Sequence, residues 1–533
     1  MVVSSHSQPF GRVFPLTELK KFFLGNRYTP TTSKFFYWFA HLLNLTPNRV
    51  IAMTSIFLRI FKPFLGFTIN IKKPEKMPSF KTKVIITFIA LLLYLMMISV
   101  PLYGVSLSGE DPFVALRVIL ASQRGTLGEL GIGPIVTAGM IMQLLVGSQI
   151  IKIDFSDPEE RALYTGTQKI LSVIMTLVQA IAYLAGGAYG DPDKIEPNIQ
   201  VLIVAQLVLA GIAIILLDEM VQKGYGLGSG ISLFIAANVS FTIFQGMFDL
   251  KQVDIQGETR YNGAVLAFIQ SIIHGDVLQR GLSRPGREPD MIGLMATIIV
   301  FAMVIYLDSM RVEIPVQHAK YKMPYRYPLK FMYTSNIPVI LVSALFANIY
   351  FISNLMARKY GDDPGIMGAI ANLLGRWEED PNTRQNHPVS GLASYTTPVY
   401  GFDQVLQDPI RAIVYLVLMV VLSTFFSMVW VDTSGMGADA VAEQLLQADM
   451  VIPGFRRNPQ IIEKYLNNYI PYLAFISGAA VGFLAAIADF MGALGTGTGI
   501  LLTTGIIRQY YEILAKERLA TISPTLANLL RIT

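Results

Sequence analysis

The chain has 533 residues, of which 53% are hydrophobic and 15% are charged, and its formal net charge is +5. A mean hydropathy of +0.49 is typical of multispanning membrane proteins and excludes an ordinary soluble enzyme. Cysteine is absent and the five histidines show no ligand spacing, so we expect no disulfide, no metal site, no cofactor and no catalytic residue.

The first 83 residues divide into two parts. Residues 1–52 contain a short aromatic run at 35–43, which is too brief to span a bilayer, and we interpret them as an N-terminal extension. Residues 53–83 mix apolar and basic side chains, a pattern typical of an amphipathic segment on the cytoplasmic leaflet. We therefore expect the membrane-embedded part to begin near residue 84, and a chain that starts at Met53 to insert normally.

Ten apolar runs approach the length of about 20 residues that a membrane-spanning helix needs. They predict an all-α polytopic membrane protein with five helices in residues 84–250 and five in residues 291–515. We expect an extracytoplasmic loop at 251–290 and a cytoplasmic tail at 516–533. The runs begin near Val84, Gly131, Leu163, Ile199, Ile231, Met291, Phe331, Ile410, Tyr469 and Gly492.

The charges of the connections predict the orientation of the chain. Basic residues precede the first span and crowd the connection at 311–330, whereas the acidic residues cluster in connections on the opposite side, as at 362–380. The positive-inside rule makes the basic side cytoplasmic. Because the number of spans is even, both termini are expected on that side.

The second span is interrupted by unusual residues. Residues 124–147 hold six glycines and Pro134, and irregular backbone at membrane depth is tolerated only where it is buried in protein or lines a wet cavity. This segment therefore predicts the wall of a polar path. Just upstream, Asp111 and Pro112 begin an apolar helix of about three turns, which is too short to cross a bilayer.

The two five-span halves share one sequence feature. The second span of the first half opens with Ile-Gly-Pro-Ile-Val at 132–136, and that of the second half opens with Ile-Pro-Val-Ile at 337–340. Halves with an odd number of spans have opposite orientations, and matching interrupted segments in inverted halves point to a path at their interface. Only Pro134 and Pro338 anchor this comparison.

Polar and ionisable residues separate the possible functions. Strong ionisable groups are nearly absent from the span centres, which favours a passive pathway over the alternative of an ion-coupled secondary transporter with inverted repeats. No protease motif or P-loop ending occurs, so an intramembrane protease and a nucleotide site are disfavoured. The basic connection at 311–330, interleaved with tyrosines, suits RNA phosphates and bases, or simply marks topology.

Seven sequence blocks together resemble the SecY family, the channel subunit of the protein translocon. The resemblance extends from about Met53 to Leu530 and is greatest to archaeal members, while residues 1–52 have no counterpart. Several blocks in the same order make the resemblance specific. They are Arg117–Ser122, Gly131–Gly139, Leu217–Glu219, Gly226–Ala237, Arg311–Pro315, Ser335–Ile340 and Phe490–Leu502.

The resemblance implies two inverted five-helix halves around a central hourglass pore that a short plug helix closes. It implies a non-enzymatic channel that conducts unfolded polypeptides across the membrane and releases transmembrane segments sideways through a lateral gate. The implied pore ring is Ile132, Val136, Ile231, Ile235, Ile340 and Leu502; the plug residues are Phe113, Leu116, Ile119, Leu120 and Arg124; and the gate residues are Thr137, Gln179 and Asn348.

The resemblance also implies partners and a location. The partners are small membrane subunits of the SecE (gamma) and beta types, the ribosome, nascent polypeptides that bear signal sequences, and membrane lipids, and the location is the plasma membrane. No cofactor is implied, and the energy for translocation comes from elsewhere. The implied ribosome-binding residues are Arg311, Lys320, Lys322, Arg326, Arg456 and Arg457.

Overall fold

The computed structural model groups residues 53–533 into one unit and residues 1–52 into another. It describes residues 63, 70–76, 78–105, 121–147, 151, 153, 158–186, 188–189, 195–255, 258–277, 281–282, 284, 288–318, 324–361, 363, 365–379, 386–453 and 458–522. The N-terminal extension and most of the predicted amphipathic segment thus lie outside the described residues.

Among the described residues, the first half of the molecule contains five helices, and start signals are visible for the first and the fourth of them. Ser79 caps the first helix by accepting the N–H of Thr82, and Pro197 occupies the first position of the fourth. The fourth helix continues as a π-helix at Val221–Tyr225. The helices are α1 (Phe80–Ser99), α2 (Gly133–Gly147), α3 (Pro158–Ala185), α4 (Pro197–Met220) and α5 (Gly230–Phe248).

The connection between the halves is more ordered than the expected loop. It holds an antiparallel pair of strands, β1 (Gln252–Ile255) and β2 (Glu258–Tyr261), followed by helix α6 (Ala264–His274). The buried guanidinium of Arg260 joins β2 to this helix, because it forms an ion pair with Asp276 at 2.8 Å and donates a hydrogen bond to Ser271 at 3.0 Å.

The second half repeats the helical arrangement with larger insertions. Its five long helices are α7 (Met291–Ser309), α8 (Ile337–Tyr360), α12 (Pro409–Thr433), α15 (Ile470–Phe490) and α16 (Gly497–Ile522). The shorter elements between them are β3 (Arg311–His318), β4 (Pro324–Lys330), α9 (Ile366–Leu374), β5 (Arg376–Glu379), β6 (Asn386–Ser390), α10 (Leu392–Thr396), α11 (Gly401–Gln407), α13 (Ala438–Gln447), β7 (Met450–Val451) and α14 (Pro459–Leu466).

Eight helices among the described residues are long and apolar enough to cross a membrane. Helix α2, with 15 residues, is shorter, and α16 is more polar because it carries Arg508 and Glu512. The predicted total of ten spans is compatible with these helices and stays a prediction. Three helices begin a few residues later than the apolar runs predict, because residues 121–132, 331–336 and 491–496 form turns.

The largest apolar cluster among the described residues lies in the bundle, and α1, α2, α4, α5, α7, α8, α12, α15 and α16 contribute to it. Helices α12 and α15 approach most closely, and glycines make this possible. A Cβ atom at Gly478 would lie 2.7 Å from the Cα of Thr424, and one at Gly482 would lie 2.6 Å from the carbonyl oxygen of Met419. Small residues at such contacts let backbones pack tightly inside a membrane.

Candidate functional site: the helix junction and its seam

Four helices bring the six predicted ring residues into one apolar cluster. Ile132, immediately before α2, and Ile235 on α5 are both fully buried. Leu502 on α16 is also fully buried, and Val136 on α2 is 7% exposed. Ile231 and Ile340 are partly buried and pack against the same cluster. Branched aliphatic side chains make no hydrogen bonds, so this junction can change shape without leaving polar groups unsatisfied.

The irregular backbone before α2 is enclosed by protein, as the sequence predicts. Its polar groups bind the end of α1: Leu127 donates its N–H to Val100 at 3.0 Å, and Gly128 donates to Met97 at 2.9 Å. Gly128 must lack a side chain, because a Cβ there would lie 2.5 Å from the Cγ2 of Ile98. The non-helical segment is therefore packed tightly against α1, next to the predicted ring residues.

The predicted gate residues meet at one hydroxyl group. The Oγ1 of Thr137 on α2 accepts hydrogen bonds from the Nε2 of Gln179 on α3, at 3.3 Å, and from the Nδ2 of Asn348 on α8, at 3.1 Å. The second bond crosses the seam between the two halves. We call this boundary, where α2 and α3 face α8, the seam.

Two further contacts close the seam, and the sequence reasoning missed both. The rings of Tyr183 on α3 and Phe351 on α8 stack with centroids 5.0 Å apart. Near the end of α8, the Nη1 of Arg358 donates to the carbonyl oxygen of Gly186 at 2.5 Å. On α8, Phe351 follows Asn348 by three residues and Arg358 follows Phe351 by seven, a spacing that places all three on one face of the helix. This spacing is a sequence signal from which a shared face could have been predicted.

The predicted plug lies mostly outside the described residues. This applies to Phe113, Leu116, Ile119 and Leu120, whereas Arg124 is described and donates from its Nη2 to the carbonyl oxygen of Ala188 at 3.3 Å.

The last part of the predicted plug segment is anchored by a buried tyrosine. The hydroxyl of Tyr94 donates to the carbonyl oxygen of Ala121 at 2.8 Å, and the ring of Tyr94 stacks on Phe234 with centroids 4.5 Å apart. This bond ties the end of the segment to α1 and α5.

The basic connection at 311–330 forms a β-hairpin instead of an unstructured loop. Strands β3 and β4 pair from Arg311 opposite Lys330 to Gln317 opposite Pro324. Strand β7 adds to the same sheet by pairing with the end of β3. The structure therefore brings the segment at 450–451 beside the basic hairpin, although Lys320, Lys322, Arg456 and Arg457 lie outside the described residues.

The described basic side chains of the hairpin differ in their charge environment. Arg326 forms an ion pair with Glu313 at 2.7 Å, and this hydrogen bond raises the pKa of the Arg326 guanidinium. Lys330 forms an ion pair with Glu512 of α16 at 3.2 Å. Both Arg311 and Arg326 are exposed. Glu313 therefore partly neutralises the positive charge that Arg326 presents to an anionic partner.

Comparison with known proteins places these features in a family. A family model described as SecY matches residues 126–511, and one described as the plug domain of Sec61p matches residues 92–125. The second match covers the segment in which the plug was predicted.

Solved structures agree with the family models. A structure described as "The structure of a protein conducting channel" is 41% identical, covers 87% of this chain and 99% of its own, and superposes with a TM-score of 0.73. A structure described as showing that the plug domain of SecY stabilises the closed state matches with the same identity and coverage and a TM-score of 0.71. Sec61 in the canine ribosome-channel complex from the endoplasmic reticulum is also 41% identical, with the same coverage and a TM-score of 0.70.

Proposed function

The chain belongs to the SecY family, and from this membership we propose which of its residues form the pore, the gate and the ribosome-binding surface. The chain is the channel-forming subunit of a protein translocase, a multi-pass membrane protein and not an enzyme. The fold class and function that the resemblance implied are thereby confirmed. The alternative, an ion-coupled transporter, is not supported.

The six aliphatic residues at the helix junction form the pore ring in this proposal. One observation carries it: residues from four separate helices, far apart in the chain, share a single apolar cluster beside the irregular start of α2. A narrow apolar constriction disfavours water and ions when it is empty. Its side chains place no fixed hydrogen-bond demand on a passing polypeptide, so chemically varied sequences can pass. The ring is Ile132, Val136, Ile231, Ile235, Ile340 and Leu502.

Site-specific crosslinking tests the ring. The chain has no cysteine, so a single cysteine at Val136 or Ile340 provides a unique reactive thiol. We expect it to crosslink to a cysteine in a polypeptide stalled during translocation. The matched control is a cysteine at Leu92, whose side chain is 45% exposed on α1. Equal labelling at Leu92 and at the ring positions, in a complex that still translocates, would refute the assignment.

The seam is the proposed lateral gate, with Thr137, Gln179 and Asn348 as its polar cluster. Support comes from the hydrogen bond that crosses from α8 to α2 and from the neighbouring aromatic stack. A signal sequence would part the seam by offering an apolar helix surface, because such a helix of about 20 residues partitions into lipid. The plug, with Phe113, Leu116, Ile119, Leu120 and Arg124, is proposed to close the pore from the segment that precedes α2.

The basic hairpin is the proposed ribosome-binding surface. Support comes from the pairing of β3 with β7, whose residues 450–451 precede Arg456 and Arg457 in the chain, and from the ribosome-channel complex of a 41% identical relative. Lys and Arg side chains would bind the phosphates of ribosomal RNA. The proposed residues are Arg311, Lys320, Lys322, Arg326, Arg456 and Arg457.

The remaining partners and the location are also proposals. Small membrane subunits of the SecE (gamma) and beta types, nascent polypeptides with signal sequences and membrane lipids would contact the apolar outer surfaces and the pore. The basic side of the molecule, with both termini, would face the cytoplasm at the plasma membrane, as the positive-inside rule predicts. Copurification followed by mass spectrometry tests the subunits, because the absence of small single-span proteins from an active complex would contradict them.

A further inference from the structure

Helices α5 and α16, which carry three of the proposed ring residues, begin in the same way. Residues 228–230 read Gly-Ser-Gly, and residues 495–497 read Gly-Thr-Gly. In each triplet the first glycine is left-handed, with φ of +67° and +79°. In each the central hydroxyl oxygen accepts an N–H from three residues further on, from Ser232 at 3.5 Å and from Gly499 at 3.0 Å. The two helix starts therefore share the flanking glycines and the hydroxyl cap, although the backbone of Ser229 is extended, with φ of −114°, and that of Thr496 is left-handed, with φ of +65°.

A buried carboxylate from the preceding helix completes each motif. Near the end of α4, the Oδ1 of Asp218 accepts the N–H of Ile231 at 2.8 Å. Near the end of α15, the Oδ1 of Asp489 accepts the N–H of Gly497 at 2.7 Å. These carboxyl groups belong to residues that are only 7% and 1% exposed. The first N–H groups of a helix lack partners within it, and a carboxylate there also complements the helix dipole.

Each carboxylate is held in place by a second partner. The Nε2 of Gln222 donates to both oxygens of Asp218, at 2.8 and 2.7 Å. The hydroxyl of Tyr415 donates to the Oδ2 of Asp489 at 2.8 Å. Both carboxylates therefore have a defined orientation toward the helix start that they cap.

The first residue of each pore helix must be glycine for this approach. A Cβ at Gly230 would lie 2.6 Å from the Cα of Asp218, and one at Gly497 would lie 2.6 Å from the Cβ of Ala488. The starts of α5 and α16 are thus pressed against the helices that carry the carboxylates.

The repeated motif relates two of the ring residues to each other. Counting from the first helical residue, Ile235 is the sixth residue of α5 and Leu502 is the sixth residue of α16. We propose that Asp218 and Asp489 are positioning residues for the constriction: each fixes the start of one pore helix and so sets the depth at which Ile235 or Leu502 meets the pore. This inference rests on the proposed pore ring.

A contact between the two pore helices couples their positions. The hydroxyl of Tyr510, near the middle of α16, donates to the carbonyl oxygen of Ser229 at the start of α5, at 2.9 Å. At the other end, a Cβ on Gly495 would lie 2.8 Å from the Cγ1 of Ile243 on α5. Because the helices run antiparallel and each start contacts a later part of the other helix, displacement of one start would also shift its neighbour.

The test is the ion conductance of the purified resting complex in planar bilayers. We expect Asp218→Ala and Asp489→Ala each to raise the leak roughly fivefold, the factor that corresponds to the loss of one helix cap. Asp489→Asn should return the leak toward the wild-type level. The asparagine oxygen still accepts the N–H of Gly497, and the Tyr415 hydroxyl can rotate so that its oxygen accepts an N–H of the asparagine amide. Asp290→Ala is the matched control: Asp290 caps α7 by accepting the N–H of Gly293 at 2.7 Å, and α7 carries no proposed ring residue.

The possible outcomes separate this inference from the ring itself. A leak in Leu502→Gly with none in either Asp→Ala variant would overturn the positioning role, whereas no leak in Leu502→Gly would overturn the ring. An equal leak in Asp290→Ala, or a leak that asparagine does not reduce, would also overturn the positioning role. If the alanine variants fail to assemble, Tyr415→Phe removes only the hydroxyl that orients Asp489, and an unchanged leak in this variant would contradict the proposal.

Discussion

The side-chain amide of Asn348 donates a hydrogen bond to the hydroxyl oxygen of Thr137 across 3.1 Å and so joins α8 to α2. The Gln179 amide binds the same oxygen from α3, and the Asn348 amide also donates to the carbonyl oxygen of Ala344 at 2.7 Å. Hydrogen bonds between helices in a membrane contribute on average about 0.6 kcal/mol. In the proposed gate, such a cluster would hold the seam closed and would still break when an entering helix offers better apolar contacts.

The first prediction concerns this cluster. Thr137→Val keeps the volume of the side chain and removes the hydroxyl oxygen that accepts both amides, and Asn348→Leu removes one of the donors. We expect both variants to lower the hydrophobicity that a nascent segment needs for membrane insertion, because the closed seam loses its polar contacts. The measurement is an insertion assay with a graded series of test segments. Thr137→Ser, which keeps the hydroxyl, should match the wild type, and an unaltered threshold in both other variants would count against the gate assignment.

The second prediction concerns the stack of Tyr183 on Phe351. Aromatic pairs contribute about 0.5–1.5 kcal/mol beyond their buried area, so Phe351→Ala should favour the open seam roughly two- to tenfold. We expect greater translocation of substrates with weak signal sequences. Tyr183→Ala should add little once Phe351 is gone, because both variants remove the same contact. Phe483→Ala is the control, since Phe483 is 51% exposed on the surface of α15, and an equal effect there would contradict a specific role for the stack.

The third prediction concerns the basic hairpin. Arg311→Glu should weaken ribosome binding and flatten its salt dependence, because each lost phosphate contact removes nearly one released counterion. Arg326→Glu should also weaken binding, since it places a carboxylate beside Glu313. Binding affinity measured at several salt concentrations checks both. Arg376→Glu makes the same charge change on the β5–β6 hairpin, predicted to lie on the opposite membrane face, and should leave binding unchanged. If Arg311→Glu binds ribosomes normally at low salt, the basic residues of the hairpin only mark the orientation of the chain in the membrane.

The fourth prediction concerns the ring as a seal. Replacing Ile340 and Leu502 together with Ser should increase ion leakage through the resting channel, because a wider and more polar constriction no longer excludes water. Conductance of the reconstituted complex measures the leak. Leu92→Ser supplies the control, since its side chain is exposed on α1. If the double variant translocates normally and leaks no more ions than the wild type, the seal lies at other residues.

The sequence by itself determined the class of the protein and the order of its helices. Lipid cannot satisfy free backbone groups, so a membrane span must be a helix of about 20 apolar residues, and such runs are visible in the sequence. Pro134 and Pro338 also predicted a relation between the two halves, through the matching segments at 132–136 and 337–340. The resemblance to a known family then implied the roles of the individual ring and gate residues.

Only the tertiary structure decided which side chains meet. In a membrane helix both the lipid-facing and the buried positions are apolar, so periodicity does not distinguish exposed Leu92 from fully buried Tyr94, two residues apart on α1. The stack of Tyr183 on Phe351 and the cap that Asp489 provides to Gly497 join different helices. Such contacts depend on how the helices pack, which the local sequence does not encode, because a hydroxyl or carboxylate near a helix end has many possible partners until packing selects one.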